Sequence, residues 1–459
     1  MIENIHIYHT NDIHSHFENW PRIRDFLMSK KKEHKEKDEA VFLFDIGDHV
    51  DRWHPYSEGT VGKGNVHLLN EVGYTAATIG NNEGITLAHD DLENLYTEAE
   101  FDVIVANLYG QKNMRPNWVT PYKIYQLKNG VKIGVTAVTA NFKHLYKLLE
   151  WNLEEPFQEL NQQIEQMKNK VDILILLSHL GIHDDRKIAK MHPEIDIILG
   201  GHTHHILEKG EYIQHSQSTT LLGAAGKHGN FVGHIHLKFD YKEKTVREKE
   251  AILFETKNFP APFKEKEEIA NFHEKGKKLL YQKVVSIPET LSTYWFKKSE
   301  LPQVLCKAIQ EWCHADCAFI NAGLVLDHLN KGIVTKYDLH QILPHPINPC
   351  LILLDGKELE SVLLQTLDPK WPILELKGLG FRGKILGNFI YENISMDNKA
   401  VYINGKKLNP NKIYKLGTVD MYTFGHFFPE LFKAEKKYFM PEFLRDVLEW
   451  KLKKKYEKE

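Results

Sequence analysis

Cysteine is scarce in this chain. Four occur in 459 residues, Cys306, Cys313, Cys317 and Cys350, and they lack the paired C-x-x-C spacing of a zinc knuckle or a thioredoxin-type redox motif. A disulfide framework is not expected from so few, and they read as buried structural thiols. Also missing is any run of about 18 apolar residues, so no membrane-spanning helix is expected. The start, Met1-Ile-Glu-Asn-Ile-His-Ile-Tyr8, has no basic stretch leading into an apolar one and enters strand-like alternation directly. The expectation is a soluble, cytoplasmic protein with no membrane partner. A large charge of either sign is absent too: 59 Lys and Arg against 62 Asp and Glu leave a formal charge of −3. A nucleic acid polymer is therefore not an expected partner, and an anionic substrate must be held by local features. Neither a low-complexity tract nor an internal repeat is evident.

The length suggests two or three domains. In the first part, one pattern recurs five times: a short apolar run ends abruptly in residues able to bind metal. Ile5 to Thr10 leads into Asn11-Asp12-Ile13-His14, and Ala40 to Phe44 into Asp45-Ile46-Gly47-Asp48-His49. Thr75 to Ile79 leads into Gly80-Asn81-Asn82-Glu83, and Val171 to Leu177 into Ser178-His179-Leu180-Gly181. Ile195 to Leu199 ends at Gly200-Gly201-His202-Thr203-His204. Amphipathic helical segments between them, such as Pro21 to Lys32, His89 to Ala99 and Pro156 to Asn169, argue for an α/β domain. Sites in such sheets form where the carboxyl ends of strands converge. Convergence here would bring Asp12, His14, Asp48, Asn81, His179, His202 and His204 together. Two carboxylates, an amide oxygen and four imidazoles suffice for two divalent ions, with Mn, Zn and Fe all suited to such mixed ligands. Two ions about 3.5 to 4 Å apart can activate a shared water and clamp the oxygens of a phosphoryl group.

These motifs, Asp12-x-His14, Gly47-Asp48, Gly80-Asn81, His179 after a strand and Gly201-His202-x-His204, resemble those of the calcineurin-like metallophosphoesterases. The resemblance implies a two-sheet sandwich flanked by helices, with Asp12, His14 and His204 on one metal, Asn81, His179 and His202 on the other, and Asp48 bridging. It also implies attack of a metal-bound hydroxide on a phosphate ester. One departure stands out. The family usually has a histidine directly after the asparagine, which aids the charged transition state or protonates the leaving oxygen, and here that position is Asn82. An amide can donate a hydrogen bond to a phosphoryl oxygen but cannot deliver a proton. Glu83, His49 and His228 are candidate replacement acids, with Glu83 preferred because it shares the turn. The Lys30 to Glu39 charge run reads as a solvated helix end. The loop from His49 to Pro55 offers Arg52 either to a phosphate or to the loop itself, and His234 and His236 read as lining a strand face.

Two prolines in Phe259-Pro-Ala-Pro262 and a Lys- and Glu-rich helical run to Gln282 mark a linker. The expected division is a metallophosphoesterase domain over 1–258, a linker helix over 259–283 and a second domain over 284–459. The second domain, through Phe319-Ile-Asn321-Ala-Gly323, Leu354-Asp-Gly356-Lys-Glu-Leu359 and Tyr414-Lys-Leu-Gly-Thr, resembles the α+β carboxy-terminal domain of 5'-nucleotidases. That resemblance implies a nucleoside base sandwiched by Phe381 and Phe428, with Arg382 near the substrate. Here too the pattern departs: the family's Asn-x-Gly-Gly-Ile-Arg reads Asn321-Ala-Gly-Leu-Val325, and Thr-Gly-Gly-Asp-Gly-(Tyr/Phe) reads Thr423-Phe-Gly-His-Phe-Phe428. Loss of an arginine removes an anion-binding fork. The function expected from the whole is a two-metal phosphoesterase acting on nucleotide-like small molecules. The alternative is a metal-binding regulatory or ligand-binding protein with weak or no turnover.

Overall fold

The computed structural model describes residues 2–397 and 400–457. The chain divides into two compact units, Met1–Gly276 and Lys277–Glu459.

Two six-stranded sheets build the N-terminal unit. The first runs in the order Thr245–Glu255, Phe231–Asp240, Ile2–Thr10, Ala40–Asp45, Ala76–Ala77 and Asp102–Val103, and its last four strands are parallel. The second runs Glu211–Gln214, Thr219–Gly223, Ile197–Gly200, Ile173–His179, Lys132–Thr139 and Tyr122–Gln126, with four parallel strands in the middle. Alternate residues of both sheets interlock: Ile5, Ile7, Phe42 and Phe44 from one and Ile133, Val135, Ile173, Ile175, Leu177, Ile197 and Leu199 from the other share a single buried cluster. Period-two alternation therefore fixes which face of each sheet is the core. The central strands of the second sheet, Ile173–His179 and Ile197–Gly200, are buried on both faces because their other side is also covered. There Leu174, Leu176 and Ile198 pack with Leu160, Ile164 and Met167 of the helix Pro156–Met167.

The first sheet carries the helix Trp20–Glu36 on its outer side. Pro21 sits in its first turn, where a missing N–H costs nothing, and Trp20, Ile23, Leu27 and His34 are its buried residues. Arg22 and Arg24 form ion pairs with Glu265 and Glu268 of the helix Glu265–Leu280. The charge run at the end of the first helix is solvated in part, with Glu33 bridging Lys30 and Lys37 at 2.7 Å each. His34 departs from that expectation and points inward.

The C-terminal unit has a five-stranded sheet in the order Phe389–Glu392, Cys317–Asn321, Ile413–Val419, Pro349–Asp355 and Glu435–Tyr438. The helices Glu300–Trp312, Gly356–Gln365 and Leu444–Tyr456 contribute to its core. It is a mixed α+β unit, and the four cysteines are buried in it as free thiols. Among the described residues no helix is long and apolar enough to cross a membrane.

Candidate metal centre

The parallel strands of both sheets end on one edge of the sandwich, and the loops that leave them are tied to each other by backbone hydrogen bonds. Asp12 N–H donates to Gly47 O (3.0 Å), His14 N–H to Asp48 O (2.8 Å) and His228 N–H to Asp12 O (2.7 Å). Five of the seven expected ligand residues, Asp12, His14, Asp48, His202 and His204, have φ between +49° and +70°. Side chains other than glycine avoid this region, and its concentration in one nest is the kind of backbone strain found at functional sites. Room for these turns comes from glycine. A Cβ on Gly80 would lie 2.0 Å from Asp48 Oδ1, and one on Gly47, itself at φ +86°, would lie 2.4 Å from Gly80 N.

The donor atoms converge. His14 Nε2 lies 3.2 Å from His204 Nε2, 3.7 Å from Asp12 Oδ1 and 3.7 Å from Asp48 Oδ2, and His204 Nε2 lies 3.4 Å from Asp12 Oδ1. On the other side of Asp48, its Oδ2 is 3.5 Å from His179 Nε2. His202 Nδ1 lies 2.8 Å from Asn81 Oδ1, and the His179 and His202 rings are 5.3 Å apart. Asp12, Asp48 and His179 form the buried floor, while His14, Asn81, His202 and His204 are half-buried above it. His179 Nδ1 donates to Ile46 O at 2.6 Å, which leaves Nε2 as the nitrogen that faces Asp48. That buried Nε2 has no hydrogen-bond donor facing it. A buried imidazole nitrogen and a carboxylate oxygen thus face each other out of water, a pair that holds a proton or, in its place, a divalent cation. Asp12, His14 and His204, and Asp12, Asp48 and His179, form two overlapping groups whose ligand atoms lie within 4.8 Å of one another. Burial disfavours a charged His179, yet the Asp48 and Asp12 carboxylates raise it to about 10. Burial likewise opposes ionisation of Asp48, but His179, His14 and the Asn82 N–H hold its carboxyl well below the ordinary range. The same negative field that holds a proton on the histidine favours a cation in its place.

Residues behind the donors fix their orientation. Asn11 donates to Asp12 Oδ2 (2.8 Å) and to Gly226 O (2.7 Å), and His202 N–H contacts both Asp12 oxygens at 3.1 Å. Asp51 Oδ2 lies 3.4 Å from His14 Nδ1, where it helps set the orientation of the imidazole. Sequence reasoning missed Asn11 and Asp51. The one available signal was a second carboxylate three residues after Asp48.

The expected catalytic residues are engaged with the backbone and side chains around the nest. Glu83 is buried, and its carboxylate accepts from the backbone N–H groups of Asp48 (3.0 Å), Val50 (2.8 Å) and Gly80 (2.9 Å). It clamps the loop of Asp48 instead of facing open space. Burial and the Asp48 charge raise its pKa to about 7. The Asn82 side-chain nitrogen lies 3.0 Å from His14 Nδ1 and donates to Val50 O (3.1 Å), and its backbone N–H donates to Asp48 Oδ1 (2.7 Å), so the amide braces the nest. His49 is buried against Asn65 (3.1 Å), and burial followed by the charge of His14 lowers its pKa to about 3. His228 stacks on His16 at 3.7 Å and meets the His14 ring edge-on at 5.9 Å. Arg52 is paired with Glu58 at 2.7 Å and donates to Thr86 O, the plain loop role.

In the C-terminal unit the two rings expected to stack on a base are packed in the core. Phe428 is fully buried, with Phe319, Trp371, Phe389 and Tyr422 around it at 5.6 to 6.2 Å. Phe381 is 3% exposed and stacks on His345 at 5.3 Å. Neither ring has a face open to a base. Arg382, half-buried, donates its backbone N–H to His345 Nδ1 at 2.9 Å. Val325, standing where the family has arginine, is fully buried.

A sandwich that gathers acidic, amide and imidazole donors at parallel strand ends defines a metal-dependent hydrolase architecture. Residues 5–205 match the calcineurin-like phosphoesterase model, and residues 282–428 match the 5'-nucleotidase C-terminal domain. The uncharacterized metallophosphoesterase YunD of Bacillus subtilis is 41% identical over 98% of this chain and 100% of its own length. Protein UshA of Yersinia enterocolitica is 26% identical over 92% of this chain and 86% of its own. Among solved structures, a putative 5'-nucleotidase from Staphylococcus aureus shares the fold with a TM-score of 0.67 at 15% identity, covering 97% of this chain and 96% of that one. The chain belongs to the calcineurin-like metallophosphoesterases of the 5'-nucleotidase type. It is a metal-dependent phosphoric ester hydrolase, and the reading as a binding protein without turnover is not favoured.

Proposed function

We propose that the protein hydrolyses phosphate esters of nucleotides or closely related small molecules, using two divalent ions held at the strand-end nest. Asp12, His14 and His204 would hold one, Asn81, His179 and His202 would hold the other, and Asp48 stands between the two groups. The observation that carries this reading is the buried His179 Nε2, 3.5 Å from Asp48 Oδ2, beside the 3.2 Å approach of His14 to His204. Mn, Zn and Fe are all compatible with these ligands. When bound, such ions lower the pKa of a water and neutralise phosphoryl oxygens. This chain's own residues set the geometry: Asn11, Asp51 and Glu83 fix the carboxylates and imidazoles, and Asn82 braces His14 and Asp48. With Glu83 and Asn82 engaged in that scaffold, no side chain of the Gly80 to Glu83 turn delivers a proton to the leaving group. Activity should therefore favour esters with good leaving groups, since a missing general acid costs about 10²- to 10⁴-fold. The 5'-nucleotidase-type C-terminal unit, and the likeness to relatives named as 5'-nucleotidases, support a nucleotide-like substrate. Buried free cysteines support a cytoplasmic location.

The test is phosphate release from p-nitrophenyl phosphate, its bis-ester, AMP and other nucleoside monophosphates, after chelation and reloading with Mn²⁺, Zn²⁺ or Fe²⁺. Activity should vanish on chelation, return with metal, and be absent in Asp48→Asn. Hydrolysis of the aryl esters with none of the nucleotides would overturn the substrate class, and hydrolysis unaffected by chelation would overturn the metal centre.

A further inference from the structure

A second histidine cluster lies on the opposite side of the first sheet from the sandwich core. Strand alternation sends Ile5 and Ile7 into the core, so His6 and Tyr8 of the same strand face outward beneath the helix Trp20–Glu36. On the neighbouring antiparallel strand, His236 stands opposite His6 and His234 opposite Tyr8. His34, in the last turn of the helix, reaches down onto them. The His6 ring is held between His34 and His236, with ring centres at 3.8 Å and 4.5 Å. His6 Nδ1 lies 3.0 Å from His234 Nε2, Glu39 Oε2 lies 2.9 Å from His34 Nδ1 and 3.3 Å from His6 Nε2, and Tyr8 Oη meets His34 Nε2 at 2.9 Å.

Proton counting makes this an unusual way to fill a sheet face. Two imidazole nitrogens 3.0 Å apart share one proton, and one carboxylate oxygen faces two further imidazole nitrogens. His6 is only 8% exposed, and its Nε2 makes no well-aligned hydrogen bond despite lying close to Glu39. An aliphatic residue at position 6 would pack against the helix without such demands. The alternative, a stack of neutral rings serving only as packing, leaves that nitrogen unexplained.

We infer that His6, His34 and His234, with Glu39 beside them, form a second cation site on the outer sheet face, suited to a borderline divalent ion such as Zn²⁺, Ni²⁺ or Cu²⁺. One nitrogen from each of the three histidines lies within 4.8 Å of the others. Ligand atoms about 2.0 Å from a tetrahedral ion are about 3.3 Å apart, close to the 3.0 Å between His6 Nδ1 and His234 Nε2 already present, and Glu39 Oε2, 3.3 Å from the other nitrogen of His6, neighbours the site. Small rotations of the stacked rings would turn their lone pairs toward one point. Three imidazoles and a carboxylate select against Mg²⁺ and Ca²⁺, which require oxygen ligands. His234 thus lines a strand face, as its alternation implies, and has a ligand's task there as well.

The test is equilibrium dialysis of the full chain against Zn²⁺, with metal counted per chain, for the wild type and the double variant His34→Gln/His234→Gln. The variant should bind one equivalent fewer, while hydrolysis of p-nitrophenyl phosphate stays within about twofold. Equal stoichiometry would overturn the site. If circular dichroism reports a misfolded double variant, crystals of the wild type soaked in Zn²⁺ decide the matter. An anomalous peak among His6, His34 and His234 supports the site, and its absence when the strand-end nest is loaded refutes it.

Discussion

The two units treated their motif residues differently. In the N-terminal unit the residues singled out as ligands come from loops far apart along the chain and meet within a few ångströms. In the C-terminal unit Phe381 and Phe428, expected to flank a base, lie in the core. The ligand motifs combine a strand end, a glycine and a polar residue that has no reason to be buried, so their identity and backbone setting point to one place. An aromatic ring is as useful to a core as to a ligand, and its identity carries no such direction. The degraded arginine and glycine motifs around those rings belong to the same difference. Val325 sits where an exposed cation would stand, and burial there is what a valine satisfies.

The sharpest break in this comparison would come from Asp48→Asn. Because Asp48 faces both His14 and His179, the substitution should lower kcat/KM for p-nitrophenyl phosphate by about 10³-fold or more, with the melting temperature little changed. Retained activity would mean that the convergence of donors is structural. The reciprocal experiment is Phe428→Ala. As a fully buried core ring its loss should cost about 3–5 kcal/mol in chemical denaturation. A stable variant with a raised KM for nucleotides would restore the stacking role and dissolve the contrast between the units.

A third prediction concerns pH. His9 is buried, and burial lowers its pKa to about 4 from the ordinary 6.5. The unfolded chain therefore binds a proton before the folded one does, and the stability associated with neutral His9 is fully present above about pH 6.5. It is lost as pH falls toward 4. Unfolding free energy should drop by about 2–3 kcal/mol between pH 7 and pH 4.5 from this group alone. His9→Gln should flatten the slope, and an unchanged slope would remove His9 as its source. Smallest in effect, Asp51→Asn should weaken metal binding at the nest by about 10- to 100-fold in a chelator competition, since Asp51 orients His14 without itself joining the donor set.

Much of the site was readable from the sequence because each strand end announces itself by an apolar run that stops at glycine or a polar residue. The partners behind it were not. Asn11, Asp51 and Glu83 act through hydrogen bonds to backbone and side chains, and nothing in their own neighbourhood reveals the direction of those bonds. Glu83 was singled out for sharing the Asn82 turn, and that proximity is real, yet its oxygens turn back to three amides. Arg52 illustrates the same limit, because its partner Glu58 lies six residues on. The sandwich follows from alternation along strands such as Phe231–Asp240 and from apolar runs such as residues 173–177, whereas two-residue strands such as Ala76–Ala77 and Asp102–Val103 are too short to show a period.

The close approach of Gly80 to Asp48 carries one more implication. The smallest possible enlargement, a single methyl group, would intrude on the carboxylate itself. An alanine at position 80 should therefore imitate removal of that carboxylate although it alters no ionisable group, and hydrogen at that carbon is as much a requirement of the chemistry as the oxygen it makes room for.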